Sequence, residues 1–223
     1  MTSRLPPLSP LEARVLGVLV EKKHTVPDTY PLTLNALVAG CNQKTSRDPL
    51  MSVTESEVQA TLDRLRSSSL VMETSGGRVM RYAHNIERVL EVPTQAVALL
   101  ATLMLRGPQT VGELRINSDR LHRFADGSAV EAFLHELEDR GAGALVAELP
   151  RQAGARENRW VQLLSDTPST STVSAAAPPA DGGGVVAPGE LAAIKESVRH
   201  LEQELDALKH QVARLREDLR SGG

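Results

Sequence analysis

The densest cluster of hydrogen-bonding side chains in the sequence runs from Cys41 to Pro49 and reads CNQKTSRDP. The segment precedes a predicted helix, and cations together with helix N-termini favour phosphate oxygens. This arrangement is typical of a phosphate-binding loop. It is equally typical of a long loop in which Asn, Asp and Pro set the turns and both cations are solvated. The side chains that can donate to phosphate are Asn42, Gln43, Lys44, Thr45, Ser46 and Arg47.

The predicted helix that follows, starting at Glu55, adds residues that can read base edges. Gln59 can pair with adenine and Arg64 with guanine in the major groove, although the acidic residues of this helix would face phosphates poorly. Arg78 and Arg81 lie on a predicted hairpin, where arginines either touch the nucleic-acid backbone or simply keep strand edges soluble. The predicted nucleic-acid-binding residues are Lys44, Thr45, Ser46, Arg47, Gln59, Arg64, Arg78 and Arg81.

Residues with catalytic or metal-binding chemistry are sparse. The six histidines form no HExxH or other paired ligand spacing, and the single cysteine, Cys41, has no CxxC partner. No GxGxxG, P-loop or GxSxG string occurs. His135 lies near Glu131 and Glu138 on a predicted helix, where surface charge pairing is the expected role. The sequence therefore predicts no enzyme activity, no metal and no cofactor, with a nucleophilic Cys41 as a third alternative.

Composition narrows the class of protein further. A formal net charge of -3 and a pI near 6.1 exclude an indiscriminate polycation, so nucleic-acid affinity would need local basic patches. One Trp, two Tyr and two Phe favour small aliphatic cores over one large aromatic core. The single cysteine suits a reducing compartment, and no stretch approaches the ~20 apolar residues of a membrane span. We expect a cytoplasmic protein with no membrane contact.

The elements that must position these residues form a repeated pattern. In the first copy, capping boxes at Ser9–Glu12 and Thr54–Glu57 open helices that run to about Lys23 and Ser67, with a shorter helix between them. The shorter helix is predicted over residues 33–39. Strand-like residues 70–74 and 79–83 then surround a Gly-Gly turn and predict a hairpin. The order is helix, helix, helix, hairpin.

The second copy repeats this order. A helix is predicted over residues 94–106, a short helix capped by Thr110 runs through Ile116, and a capping box at Ser128 opens a third helix to Arg140. Residues 144–149 and 159–164 form the second predicted hairpin. Three helices closed by a two-stranded wing define the winged helix-turn-helix. The fold class is mainly α with small β-hairpins (α+β), with tandem winged-helix domains at residues 1–90 and 91–164.

The remaining sequence predicts a tether and a coiled coil. Residues 165–189 are rich in Ser, Thr, Ala, Pro and Gly, which is typical of a flexible linker, and residues 190–220 repeat apolar residues at spacings of three and four. Flanking charges favour a parallel homodimer, while a trimer or a helix docked on the body stays open. The predicted dimerisation residues are Leu191, Ile194, Val198, Leu201, Leu205, Leu208, Val212, Leu215 and Leu219.

Three strings resemble the YceH family of bacterial tandem winged-helix proteins. They are the strings that span residues 8–49, 107–137 and 149–164, and the first two carry CNQK–RDP and GPQT–GELR. The resemblance implies the tandem winged-helix fold and says little about activity.

The sequence supports two functional predictions. The first is a dimeric DNA-binding or chromosome-associated regulator with double-stranded DNA as its partner. The alternative is a protein-interaction scaffold, favoured by the acidic face of the third helix in the second copy, where Glu131, Glu136, Glu138 and Asp139 would repel phosphates and suit a protein partner.

Overall fold

The computed structural model describes residues 6–75, 79–151 and 154–165. The predicted contact at Arg78, the nine dimerisation residues and the linker after Ser165 lie outside the described residues. The described residues form a mixed α/β body of helices and two small antiparallel hairpins, as the predicted α+β class requires.

The first half, up to His84, has the predicted element order. Ser9 and Thr54 each close a capping box with the glutamate three residues on, so both predicted helix starts are confirmed. A single 3-10 turn over Pro27–Thr29 precedes the second helix. The elements of this half are α1 (Pro10–Thr25), α2 (Leu34–Cys41), α3 (Glu55–Ser67), β1 (Val71–Ser75) and β2 (Met80–His84).

The second half repeats the order after a short connecting helix that the sequence did not predict. One predicted helix start was wrong: Asp126, in extended conformation, accepts a hydrogen bond from the Ala129 amide, so Ser128 lies inside the helix. That helix also ends at Glu138, two residues before the predicted Arg140. The elements are α4 (Ile86–Leu90, the connector), α5 (Thr94–Arg106), α6 (Val111–Asn117), α7 (Gly127–Glu138), β3 (Val146–Leu149) and β4 (Arg159–Gln162).

The two halves also match in individual backbone pairs and helix caps. Leu32, just before α2, pairs with Tyr82 of β2, and Gln109, just before α6, pairs with Trp160 of β4. Each hairpin therefore gains a one-residue third strand from the segment that leads into the second helix of its half. In both halves the next residue is a threonine whose hydroxyl caps that helix.

The first helices of the two halves, α1 and α5, pack against each other, and one contiguous apolar cluster runs through both halves. Gly17 marks the closest approach, because a Cβ placed there would lie 2.8 Å from Leu105 Cγ. α5 is apolar on nearly every side, with buried residues at all ten positions from Ala96 to Leu105. Within the described residues, no helix has the length and apolar character needed to cross a bilayer.

Candidate functional site

The loop between α2 and α3, predicted to bind phosphate, is anchored from the inside by Arg47. Its side chain is fully buried and forms a two-pronged ion pair with Glu21 of α1, at 2.8 and 2.9 Å. The Arg47 Nε group donates to the Gly40 carbonyl. The largely buried carboxylate of Glu21 takes up donors of the Arg47 guanidinium and holds it away from solvent, while the phosphate contact at Arg47 stays a prediction.

Neighbouring groups complete this anchor. Burial alone would raise the pKa of Glu21, but hydrogen bonds from Arg47 and Lys22 hold it below its usual value, so Glu21 is anionic. Arg14, also buried, donates to the carbonyls of Cys41 and Pro49. The Asn42 side chain exchanges two hydrogen bonds with the backbone of Val53, closing the base of the loop. The self-bonded interpretation therefore describes most of this loop.

The predicted residues on α3 and the first hairpin are also engaged within the protein. The Gln59 side-chain amide accepts a hydrogen bond from the Tyr82 hydroxyl and donates one to Asp63. Both polar atoms with which Gln59 was predicted to read adenine therefore have partners within the protein. Arg64 pairs with Glu12 of α1 at 2.9 Å, although it is more than half exposed. Arg81 donates to two backbone carbonyls near the start of α2. Only Lys44 and Thr45 of the predicted set stand exposed on the loop.

Cys41, the candidate nucleophile, lies in the core. Its exposure is 0%, and burial raises the pKa of the thiol to about 11, against the opposing charges of Arg14 and Arg47. A nucleophilic cysteine needs an exposed thiolate, which this environment opposes. Among the described residues no cluster of His, Cys, Asp and Glu could hold a metal ion.

The structure brings a different set of residues together, in a cleft of about 500 Å³ between the α2–α3 loop and the second half. We call it the central cleft. All three strings that carry the family resemblance contribute to it: the first supplies residues 46–48, the second Pro108 to Asn117, and the third residues 149–159. Its polar lining includes Ser46, Asp48, Arg106, Gln109, Glu113 and Arg159.

Hydrogen bonds hold the cleft walls in place. Gln109, nearly fully buried, donates to the carbonyls of Thr102 and Gly107 and accepts from Asn117 at 2.7 Å. Arg159 of β4 donates to the Pro108 carbonyl at 2.9 Å and pairs with Glu113 of α6 at 3.3 Å. These bonds fix the second hairpin against the start of α6.

Three charged side chains that line the cleft, Arg106, Asp48 and Glu157, keep bonding capacity. Arg106, at the end of α5, donates one hydrogen bond to the Ser46 hydroxyl at 2.6 Å and takes part in no ion pair among the described residues. Asp48, beside the same helix end, is exposed, and its backbone amide rather than its carboxylate binds the α5 terminus, through the Leu105 carbonyl. The cleft thus presents the guanidinium of Arg106 and the carboxylates of Asp48 and Glu157 to a ligand.

A basic surface that the sequence did not predict lies at the end of α6 and in the connection to α7. The end of α6 and the connection to α7 carry Arg115, Arg120 and Arg123, all exposed, with Ile116 exposed by 70% beside them. Arg123 lies 3.8 Å from Asp119, a loose contact between two exposed groups. The exposed face of α7 is acidic, and His135 Nδ1 lies 3.6 Å from a Glu138 carboxylate oxygen there.

The matches to known proteins cover the segments that form the central cleft. The family described as "Protein of unknown function, DUF480" matches residues 8–155. The chain belongs to the DUF480 family. A UPF0502 protein of Burkholderia multivorans is 56% identical over 214 residues, covering 95% of this chain and 89% of the relative. A UPF0502 protein of Leptothrix cholodnii is 54% identical over 212 residues, covering 95% of both chains.

The extent of these matches bears on the C-terminal region. The DUF480 match ends at residue 155, whereas the two UPF0502 relatives align over 95% of the chain. Most of the sequence after Ser165 therefore has a counterpart in these relatives. The cleft residues Ser46, Asp48, Arg106 and Gln109 lie inside the DUF480 match.

Proposed function

We propose that this protein is a non-enzymatic tandem winged-helix protein that binds a partner polypeptide in the central cleft. Support for the winged-helix assignment comes from the twice-repeated order of three helices and a hairpin, and from the matched pairs Leu32–Tyr82 and Gln109–Trp160. The YceH resemblance implies the same fold, and its first two strings fall inside the DUF480 match. A buried thiol at Cys41 suits the cytoplasm.

The observation that carries the binding function is the pairing of uncommitted charges in one cleft. Arg106 can bind a carboxylate through two parallel hydrogen bonds, and Asp48 can accept from a lysine or arginine. A polypeptide segment with both an acidic and a basic side chain matches this arrangement. On the predicted DNA-reading face, in contrast, Arg47, Arg64 and Arg81 are bound to carboxylates and carbonyls of the protein itself.

Site-specific photocrosslinking in cells tests this proposal. A photoreactive residue at Glu157, exposed at the cleft, should crosslink a discrete partner protein, and Arg106→Gln or Asp48→Asn should reduce that crosslink several-fold. The matched control carries the photoreactive residue at Ser56, exposed on α3. Crosslinks of equal yield from both positions, or crosslinks insensitive to the two cleft substitutions, would contradict binding in the cleft.

DNA binding is the second candidate, favoured by the exposed arginines of the α6–α7 connection. A duplex seated there would contact Arg115, Arg120 and Arg123 through phosphates, without base readout. In fluorescence anisotropy, replacing all three by alanine should reduce the slope of log affinity against log salt by about 2.7, at ~0.9 per phosphate contact. The control replaces Arg64 and Arg66 of α3 by alanine, since these arginines pair with glutamates outside α3. No duplex binding at low salt would exclude this candidate.

The C-terminal heptads carry a third part of the proposal, parallel self-association through the apolar positions of residues 190–220. Support comes from the unbroken three-four spacing of Leu, Ile and Val. The relatives' coverage of this region favours a shared role.

A further inference from the structure

The central cleft contains two neighbouring hydrogen-bond donors suited to an anion. The Arg106 guanidinium donates one hydrogen bond to the Ser46 hydroxyl oxygen, at 2.6 Å, and forms no ion pair among the described residues. Because that oxygen accepts from Arg106, the Ser46 hydroxyl hydrogen is left to donate, and it has no acceptor within the described part of the chain. Arg106 and Ser46 therefore present several adjacent N–H and O–H groups to one anionic group.

The same cleft contains a hydrogen-bond acceptor whose orientation is fixed. The Gln109 amide nitrogen donates to the carbonyls of Thr102 and Gly107, so the Gln109 amide oxygen faces Asn117. Asn117 must then offer its nitrogen to that oxygen, at 2.7 Å. The Asn117 side-chain oxygen has no donor among the described residues and is left for a ligand N–H.

Two carboxylates suit a basic group in the ligand. Asp48 lies beside the end of α5, since a Cβ added at Gly107 would be 3.9 Å from its Oδ2 atom. A helix C-terminus favours cations, which adds to the attraction of Asp48 for a lysine or arginine. Glu157 is exposed and lines the cleft as well, and neither carboxylate has a partner among the described residues.

The remaining lining is mainly apolar, and the cleft is small. Pro108, Leu149, Pro150 and Ala155 also line it, and they can cover an apolar side chain. Its volume of about 500 Å³ is in the range of pockets that enclose a small ligand. An interface between two folded proteins, in contrast, covers roughly 800 Å² on each partner. The ligand must therefore bring its recognition groups close together.

The last residue of a polypeptide brings these groups together on one Cα atom. It carries a carboxylate, a peptide N–H and a side chain, whereas the carboxylate of an internal aspartate or glutamate is accompanied by chain on both sides. The donors of Arg106 and Ser46, the acceptor of Asn117 and the apolar lining match the three groups of a terminal residue.

We propose that the central cleft binds the C-terminal end of a partner polypeptide. The terminal carboxylate accepts from Arg106 and Ser46, and the last peptide N–H donates to the Asn117 oxygen. Asp48 and Glu157 select a lysine or arginine just before an apolar last residue. This assignment rests on the proposed function, since it specifies which part of the partner enters the same cleft.

Binding of the full chain to a peptide array tests the proposal. Peptides attached through their N-termini present all combinations of the last residues as free carboxylic acids, and a duplicate array presents the same peptides as C-terminal amides. We expect binding to free acids that end in an apolar residue preceded by lysine or arginine. Amidation should weaken this binding roughly tenfold, because a charge-assisted pair is lost.

Two cleft variants and two matched controls identify the donors. Arg106→Gln should weaken binding to the free acids roughly tenfold and Ser46→Ala several-fold, with no further loss on the amide array. Arg115→Gln changes an exposed arginine outside the cleft, and Thr45→Ala removes the neighbouring hydroxyl, which does not line the cleft. Both controls should bind like the parent chain.

Equal binding to free acids and amides overturns the proposal, as does the absence of binding to both arrays. Mapping the crosslinks formed from position 157 in cells separates this failure from failure of the proposed function. The crosslinked peptide of the partner should contain its last residue. An Arg106-dependent crosslink to an internal segment overturns C-terminal recognition and leaves cleft binding intact, whereas the absence of any Arg106-dependent crosslink overturns both.

Discussion

The two halves share one element order but use their positive charges differently. In the first half, the connection from α2 to α3 covers residues 42–54, and its arginine is buried against Glu21. In the second half, the connection from α6 to α7 covers residues 118–126, and its arginines are exposed. The arginine of the first connection stabilises internal structure, whereas the arginines of the second are exposed and available to a ligand.

This difference shows why a local cluster of cations is weak evidence for a binding site. Glu21, the partner of Arg47, lies on α1, on the other side of α2 in the sequence. The CNQKTSRDP string itself gives no sign that a carboxylate on α1 binds its arginine. The availability of a charged side chain is a property of the tertiary structure.

The largest expected effect separates the two connections directly. Arg47→Ala leaves the largely buried Glu21 with Lys22 as its remaining partner and should destabilise the protein by about 3 kcal/mol. Arg120→Ala, in the exposed connection of the second half, should change stability by less than ~0.5 kcal/mol. Urea unfolding of both variants measures the difference. A cost below ~1 kcal/mol for Arg47→Ala would mean that the ion pair does not anchor the loop.

Two histidines extend the comparison to pH. Each has a glutamate three residues on, at 3.8 Å for His84–Glu87 and 3.6 Å for His135–Glu138. His84 is fully buried with no hydrogen-bond partner for either ring nitrogen, whereas the His135 side chain is 59% exposed. Burial, helped by the charge of Lys23, lowers the pKa of His84 to about 4 against the attraction of Glu87.

The sign of the pH effect follows from linkage. The unfolded chain binds a proton at His84 below pH ~6.5, while the folded chain resists it until pH ~4. Stability is therefore complete above pH ~6.5 and falls as pH drops from 6.5 to 4, by on the order of 2–3 kcal/mol. His84→Phe should flatten this loss in urea unfolding at pH 7 and pH 5. His135→Phe serves as the control, and an equal flattening there would refute the assignment.

The smallest expected effect concerns the helix starts. Thr54→Ala on α3 and Asp126→Ala on α7 should each cost about 1 kcal/mol, because each side chain accepts a hydrogen bond from the first turn. Ser128→Ala should stay within ~0.5 kcal/mol, since Ser128 lies inside α7 rather than at its cap. Thermal unfolding resolves these differences. A Ser128→Ala cost as large as that of Asp126→Ala would restore the original prediction of the cap.

Most of the fold was predictable because its signals are local. The capping boxes predicted at Ser9 and Thr54 and the cap predicted at Thr110 lie within four residues of sequence, and each helix starts where it was predicted. The start of α7 was missed where two local signals competed, Asp126 and Ser128, and the carboxylate took the cap. The connector α4 was not predicted, because a five-residue helix is too short to show a helical repeat of apolar residues in the sequence.

The central cleft could not be predicted, because it depends on contacts between distant segments. Ser46 belongs to the predicted set, but its partner Arg106 is sixty residues away and lies at the end of a different helix. Asp48 and Gln109 were visible only as members of the strings that resemble YceH proteins. That resemblance was the usable signal, since the segments it marks converge in space.

The packing of α1 against α5 has a consequence for any attempt to divide the molecule. Each helix is the first of its half, and each buries an apolar surface that its own half does not cover alone. A fragment ending between Leu90 and Thr94 would expose the α1 side of this contact to water, where it invites aggregation. We therefore expect the two halves to unfold in a single cooperative step.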